Sequence, residues 1–270
     1  MRIVMIVQWL RASRRAGAAR RTTLFYAGGI AIAQVLWILW LGIADENIAL
    51  IVFVVLVLVE ISVPLIAESQ GQTSLHPHHI TERYGCFTII VLGESLLASA
   101  EAIFEALATI EDVVPLISLG VLSVIVTAAM WWIYFWPPHH RAIAGFGGTF
   151  KYGYGHYFIF AAAGAFSAGV GVEVDSQLGE SALDPVLATF TVSVPIVVVV
   201  LGVWLLAIRA NAGWVVNTVI PVCAVLVLLD PIIPIPTFLT TIFMICIVIT
   251  LIFAAPADGE SSLDEELVEG

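Results

Sequence analysis

His76-Pro-His-His-Ile-Thr-Glu-Arg-Tyr-Gly-Cys-Phe-Thr-Ile-Ile-Val-Leu-Gly-Glu-Ser95 joins a histidine-rich polar entry to a long apolar helix, with Glu94 set inside the apolar part. Apolar character persists to Leu107, and a helix from His78 to there is near 45 Å long at about 1.5 Å per residue. A bilayer core is about 30 Å thick, so this helix overshoots it: the first turns lie at the interface and the helix projects or tilts. A carboxylate in the middle of a span is costly in hydrocarbon and faces protein or water, which makes Glu94 the first functional hypothesis.

The remainder of the chain agrees with a membrane reading. Of 270 residues, 60% are hydrophobic and 11% charged, whereas a soluble domain carries about 25% charged residues; mean hydropathy is +1.04. Lipid admits only helices and closed barrels, and the long apolar runs lack the alternation of barrel strands. The fold class is therefore all-α, a polytopic transmembrane bundle of about eight spans plus a partial N-terminal segment. The net charge of −11 argues against nucleic acid as a partner, which calls for a basic face. Cys86, Cys223 and Cys246 lie in apolar runs and read as small buried side chains; they imply no disulfide framework, and no cofactor is expected.

In order, residues 1–21 read as a partial span followed by a basic segment with Arg11, Arg14, Arg15, Arg20 and Arg21. The transmembrane domain covers 22–255, and 256–270 form an acidic tail. Spans are expected near 22–43, 48–66, 78–107, 115–136, 152–172, 185–208, 214–229 and 236–255, with Pro115 in a first helical turn and Pro195 and Pro221 inside helices, where they should kink or unwind them. Ala161, Gly164, Ala165, Ala168 and Gly169 have the spacing of a close helix contact. The acids after the fifth span, Glu173 among them, read as a loop. Apart from Arg2, the basic residues fall on alternate sides of successive spans, while Asp45, Glu46, Glu111, Asp112, the 173–184 acids and Asp230 occupy the other turns. The positive-inside rule then puts the basic loops and the C-terminal tail in the cytoplasm of a multi-pass plasma-membrane protein.

The polar residues divide into three groups. His76, His78, His79 and Glu82 have helical spacing at an interface, weak candidates for a metal site and better ones for proton handling; Arg83 reads equally well as snorkelling to headgroups. Glu60 and Glu94 lie roughly 9 Å and 15 Å from the cytoplasmic edge of sequential helices, where they can share a cavity. Arg83, Glu94 and Glu101 fall within about 20° on one helix face, a polar stripe across the membrane; a protonated Glu94 serving packing alone is the bland alternative. His156 sits about a turn into the fifth span and reads either as an interhelix hydrogen bond or as part of a pathway. His139, His140 and Arg141 read as a solvated loop.

His79-Ile-Thr-Glu-Arg-Tyr-Gly-Cys-Phe-Thr-Ile-Ile-Val-Leu-Gly-Glu94, with Trp131-Trp-Ile-Tyr-Phe135, Tyr154-Gly-His156 and Ala168-Gly-Val-Gly-Val-Glu173 further on, resembles the bacterial low-temperature-requirement A family over residues 76–173. Family members usually begin with an acidic, Phe-rich helix and further spans before the point where Met1 falls, so the chain reads as N-terminally short; Trp136 stands where an Asp is expected. The resemblance implies a polytopic membrane protein linked by name to growth in the cold. The expected function is transporter-like or channel-like, with a proton- or ion-handling stripe and an unknown small solute or ion, in the lipid bilayer. A homo-oligomer is compatible with it. The alternatives are a membrane scaffold or stress-response component without flux, and an intramembrane enzyme, for which only the histidine entry offers suitable groups.

Overall fold

A computed structural model describes residues 1–43, 45–71, 76–107, 113–143, 145–233 and 238–254. The Glu111–Asp112 turn, the end of the linker before His76 and the acidic tail anticipated from the sequence lie outside the described residues. The helices are α1 (Arg2–Ser13), α2 (Arg20–Trp40), α3 (Glu46–Ser69), α4 (Pro77–Leu107), α5 (Val114–Phe135), α6 (Gly145–Leu178), α7 (Pro185–Val203), α8 (Trp214–Leu229) and α9 (Phe238–Phe253). Seven helical segments among the described residues are long and apolar enough to cross a membrane. Over its described length α9 has 16 residues, about 24 Å, short of a full span. Local signals set several boundaries. Asp45 caps α3 by accepting from the Ile48 amide at 3.0 Å, and Asp184 caps α7 by accepting from Val186 at 2.9 Å, followed by Pro185 in the first turn.

Contacts divide the chain into two units, residues 1–76 and 77–270. In the first, α2 packs against α1 and α3. Gly29 permits the α2–α3 approach, since a Cβ there would lie 2.6 Å from Val63. Several polar groups in this unit are paired across helices. Trp9 stacks on Tyr26 at 4.2 Å, and the Tyr26 hydroxyl donates to Glu68 at 3.0 Å. Glu68, expected in a polar linker, is instead a buried residue of α3.

In the second unit α6 is flanked by α4 and α7, α5 contacts α4 and α9, and α8 lies against α7 and α9. The core comes from Leu92, Met130, Ile133, Phe166, Ile196 and Ile220, among others, with apolar residues on one face of each helix. α6 is longer than expected at both ends: it takes up the Gly-rich segment from Gly145 and runs past Glu173. Glu173 is thus no loop residue. It is buried against α7 and accepts from the Thr189 hydroxyl at 3.1 Å, a pairing that a carboxyl at a helix interface requires. Asp230, expected in an exposed turn, is fully buried in a 3-10 turn and accepts from the Thr240 amide at 2.9 Å and from the Thr240 hydroxyl.

Neither internal proline unwinds its helix. α7 continues through Pro195 and α8 through Pro221, while the backbone departs from α geometry at Trp204–Ile208, a π-helical turn closed by Arg209 N–H donating to the Trp204 carbonyl at 2.8 Å. Pro195 has no N–H to offer the Thr191 carbonyl, and that carbonyl is where Gly169 of α6 comes closest: a Cβ on Gly169 would lie 2.2 Å from it. So close an approach of the two backbones is open only to a residue without a side chain. Ala161, Gly164, Ala165 and Ala168 face outward instead. The close contacts of α6 come at Gly155 against Leu206 and at Gly169, with Ala162 and Ala163 buried between them.

Candidate functional site

In the second unit Tyr84, Tyr134, Tyr152, His139 and His156 gather where α4, α5 and α6 meet the 3-10 turn His139–Ala142. Two glycines bring these helices together: a Cβ on Gly85 would stand 3.2 Å from the Phe135 ring, and one on Gly153 would stand 3.4 Å from the Tyr84 hydroxyl. The innermost member is His156, fully buried. Its Nδ1 lies 2.8 Å from the Tyr152 carbonyl. A carbonyl only accepts, so Nδ1 carries the proton, Nε2 of the neutral ring holds the lone pair, and the Tyr134 hydroxyl donates to it at 3.0 Å. Tyr84 meets the same imidazole edge-on at 4.8 Å.

His139 lies one layer out. Its Nε2 donates to the Tyr134 carbonyl at 2.6 Å, its ring lies 4.5 Å from that of Tyr134 and 5.9 Å from that of His156, and Nδ1 has no hydrogen-bond partner among the described residues. Burial holds its pKa below the ordinary histidine value, against the hydrogen bond to Tyr134, which favours the proton. Outermost is His140, stacked on His78 at 4.4 Å; partial burial, His78 and Arg141 together lower its pKa. His79 and Glu82 stand 3.4 Å apart with both side chains exposed. Imidazoles thus step from the surface of the unit to its fully buried interior.

His139 was missed as a buried group because a loop of His-His-Arg reads as solvated. The signal was Pro137-Pro138, which ends α5 and turns the chain back beneath Tyr134. Among the described residues no group of three or more His, Cys, Asp or Glu is gathered closely enough to hold a metal.

The expected stripe lies along one exposed face of α4: Arg83, Glu94 and Glu101 are all exposed, and none makes an ion pair or side-chain hydrogen bond with a described residue. The opposite face of that helix is buried and locked to α6 by Ser95, whose hydroxyl contacts the Ala163 carbonyl at 2.8 Å. Glu60 belongs to the first unit and both its oxygens are engaged there. Arg2 forms an ion pair with Oε1, and the Trp37 indole donates to Oε2 at 2.8 Å. Arg2, the one basic residue left outside the charge alternation, is the counter-ion of a carboxylate in a span.

Apolar helices of spanning length, with ionisable groups held between and along them, define a polytopic integral membrane protein of the all-α class. The chain belongs to the bacterial low temperature requirement A protein (LtrA) family, to which residues 1–253 match. The match extends beyond the 76–173 stretch that carries the sequence resemblance. A stretch of 142 residues is 31% identical to "Uncharacterized protein RA0937" of Rhizobium meliloti (strain 1021), covering 49% of this chain and 34% of that protein, so the match spans about a third of the relative's length. No solved structure matches.

Proposed function

We propose that this member of the family is transporter-like or channel-like and that protons take part in its flux. The observation that carries the reading is the graded burial of imidazoles from His78 and His140, through His139, to His156, in a unit that also holds within a span the carboxylate of Glu94, which has no ion pair among the described residues. A buried, unpartnered lone pair such as Nδ1 of His139 is a proton acceptor disfavoured by desolvation, hence one occupied transiently. Tyr134 and the two imidazoles around it supply neighbouring groups to hand a proton on. Glu94 supplies the charge that changes within the membrane, where ionisable residues mark proton and ion pathways. His79, Glu82, Arg83 and Glu101 belong to the same reading as the mouth and margins of the α4 stripe.

A second reading has its own support. Both nitrogens of His156 are satisfied inside the bundle, which is also what a packing histidine requires, and a scaffold without flux would use it so. Proton entry into dye-loaded proteoliposomes under an imposed membrane potential separates the two. Lumen acidification faster than in protein-free vesicles supports flux. Equal rates in oriented, fully incorporated protein would leave the scaffold reading in place. In the bilayer, the arginine segment 11–21 and, separately, the His139–Ala142 turn each face the cytoplasm under this reading.

A further inference from the structure

We infer that the first unit carries a binding groove for an anionic glycerophospholipid. A groove of about 550 Å³ runs between α2 and α3, from Arg21 to Ile32 along one helix and from Val59 to Ile66 along the other. Eleven residues of helix rise about 16 Å, close to the depth of one leaflet of a hydrocarbon core about 30 Å thick. The walls suit an acyl chain. Apart from Arg21 they offer one polar group, Ser62, whose hydroxyl is occupied by the Val59 carbonyl of its own helix at 2.7 Å. Gly28 leaves the floor open, with nothing within 4 Å of where its Cβ would stand.

The charge at one end selects the headgroup. Arg21 lines the mouth, and it follows Arg11, Arg14, Arg15 and Arg20 in a segment where no arginine forms an ion pair with a described residue. Arg20 and Arg21 also occupy the first turn of α2, which contains no acidic residue and has no side-chain cap. That end of a helix is itself partially positive, so two arginines there oppose the dipole until an anion joins them. A phosphodiester at the mouth neutralises both, and clusters of arginine at the end of a span are the usual recognition element for anionic headgroups. The groove's apolar length distinguishes a lipid from a free anion.

The test uses the full chain in detergent and native mass spectrometry, with phosphatidylglycerol, phosphatidylethanolamine and inorganic phosphate as probes. Phosphatidylglycerol should stay bound at concentrations where phosphatidylethanolamine does not, and inorganic phosphate should not displace it. R21Q should weaken retention several-fold by removing headgroup charge. G28F should do so by filling the groove while leaving every arginine in place. R21Q is an exposed substitution and keeps the test decisive should G28F fold poorly. Equal binding of the two lipids, displacement by phosphate, or R21Q retaining phosphatidylglycerol as the parent does would overturn the proposal. So would a parent dimer that G28F converts to monomer, which would assign the groove to a second copy.

Discussion

The hydroxyl of Tyr134 on α5 donates to Nε2 of His156 on α6 at 3.0 Å, between side chains that are 2% and 0% exposed. Tyr134→Phe keeps the ring and removes the donor, stranding a buried lone pair. The expected cost is about 1–3 kcal/mol, seen as a lower unfolding midpoint in detergent. Tyr134→Phe with unchanged stability would mean that water reaches Nε2.

His139 gives the second unit a pH dependence of known sign. Burial lowers its folded pKa below the ordinary value of 6.5, so the unfolded chain takes up a proton first as pH falls. The stability is present above the unfolded value and is lost as pH drops from there through the folded one. Each tenfold difference in proton affinity is worth about 1.4 kcal/mol. His140, also lowered, contributes in the same direction. Unfolding midpoints measured between neutral and mildly acidic pH should fall in the parent, less steeply in His139→Gln, and least when His140→Gln is added.

The Arg2–Glu60 pair is predicted to hold the first unit together rather than to conduct. Removing one partner leaves the other charge in an apolar setting, so Glu60→Gln and Arg2→Gln should each lower stability. The double variant should lose less than the sum of the two, with a coupling of about 0.5–3 kcal/mol. Additive losses in chemical denaturation would show that the pair contributes nothing as a pair.

The sidedness proposed from the arginines is checked by single cysteines in a background lacking Cys86, Cys223 and Cys246. Asp45→Cys and Glu180→Cys should react with an impermeant thiol reagent applied to whole cells; Arg15→Cys and Ala210→Cys should react only after permeabilisation. The reverse pattern would invert the protein in the membrane.

What was legible in the sequence was what local chemistry encodes. Apolar length marks the spans, and Pro115 sits in a first turn as its fixed φ favours. The α4 stripe was legible because helical periodicity alone places Arg83, Glu94 and Glu101 on one face. Partners distant in sequence were not. Nothing in the local pattern ties Glu60 to Arg2, Glu173 to Thr189 or Asp230 to Thr240, and each of those acids was read as exposed or as facing a cavity. The small residues of α6 misled for a related reason: periodicity offers several faces, and which one packs depends on what another helix brings to it, here the Thr191 carbonyl at Gly169.

The central claim is that the second unit passes protons by way of an ionisable group in the span, and Glu94→Gln tests it most directly. The substitution keeps size and hydrogen bonding and removes the charge; Glu94 has no ion pair or side-chain hydrogen bond among the described residues to lose. Parent and variant are reconstituted at equal density and orientation, and proton entry is followed with a trapped pH dye under the same membrane potential. The account predicts rapid entry with the parent, entry near the protein-free rate with Glu94→Gln, and the same unfolding midpoint for both. Proton entry through Glu94→Gln as fast as through the parent, or a parent no faster than empty vesicles, would contradict it.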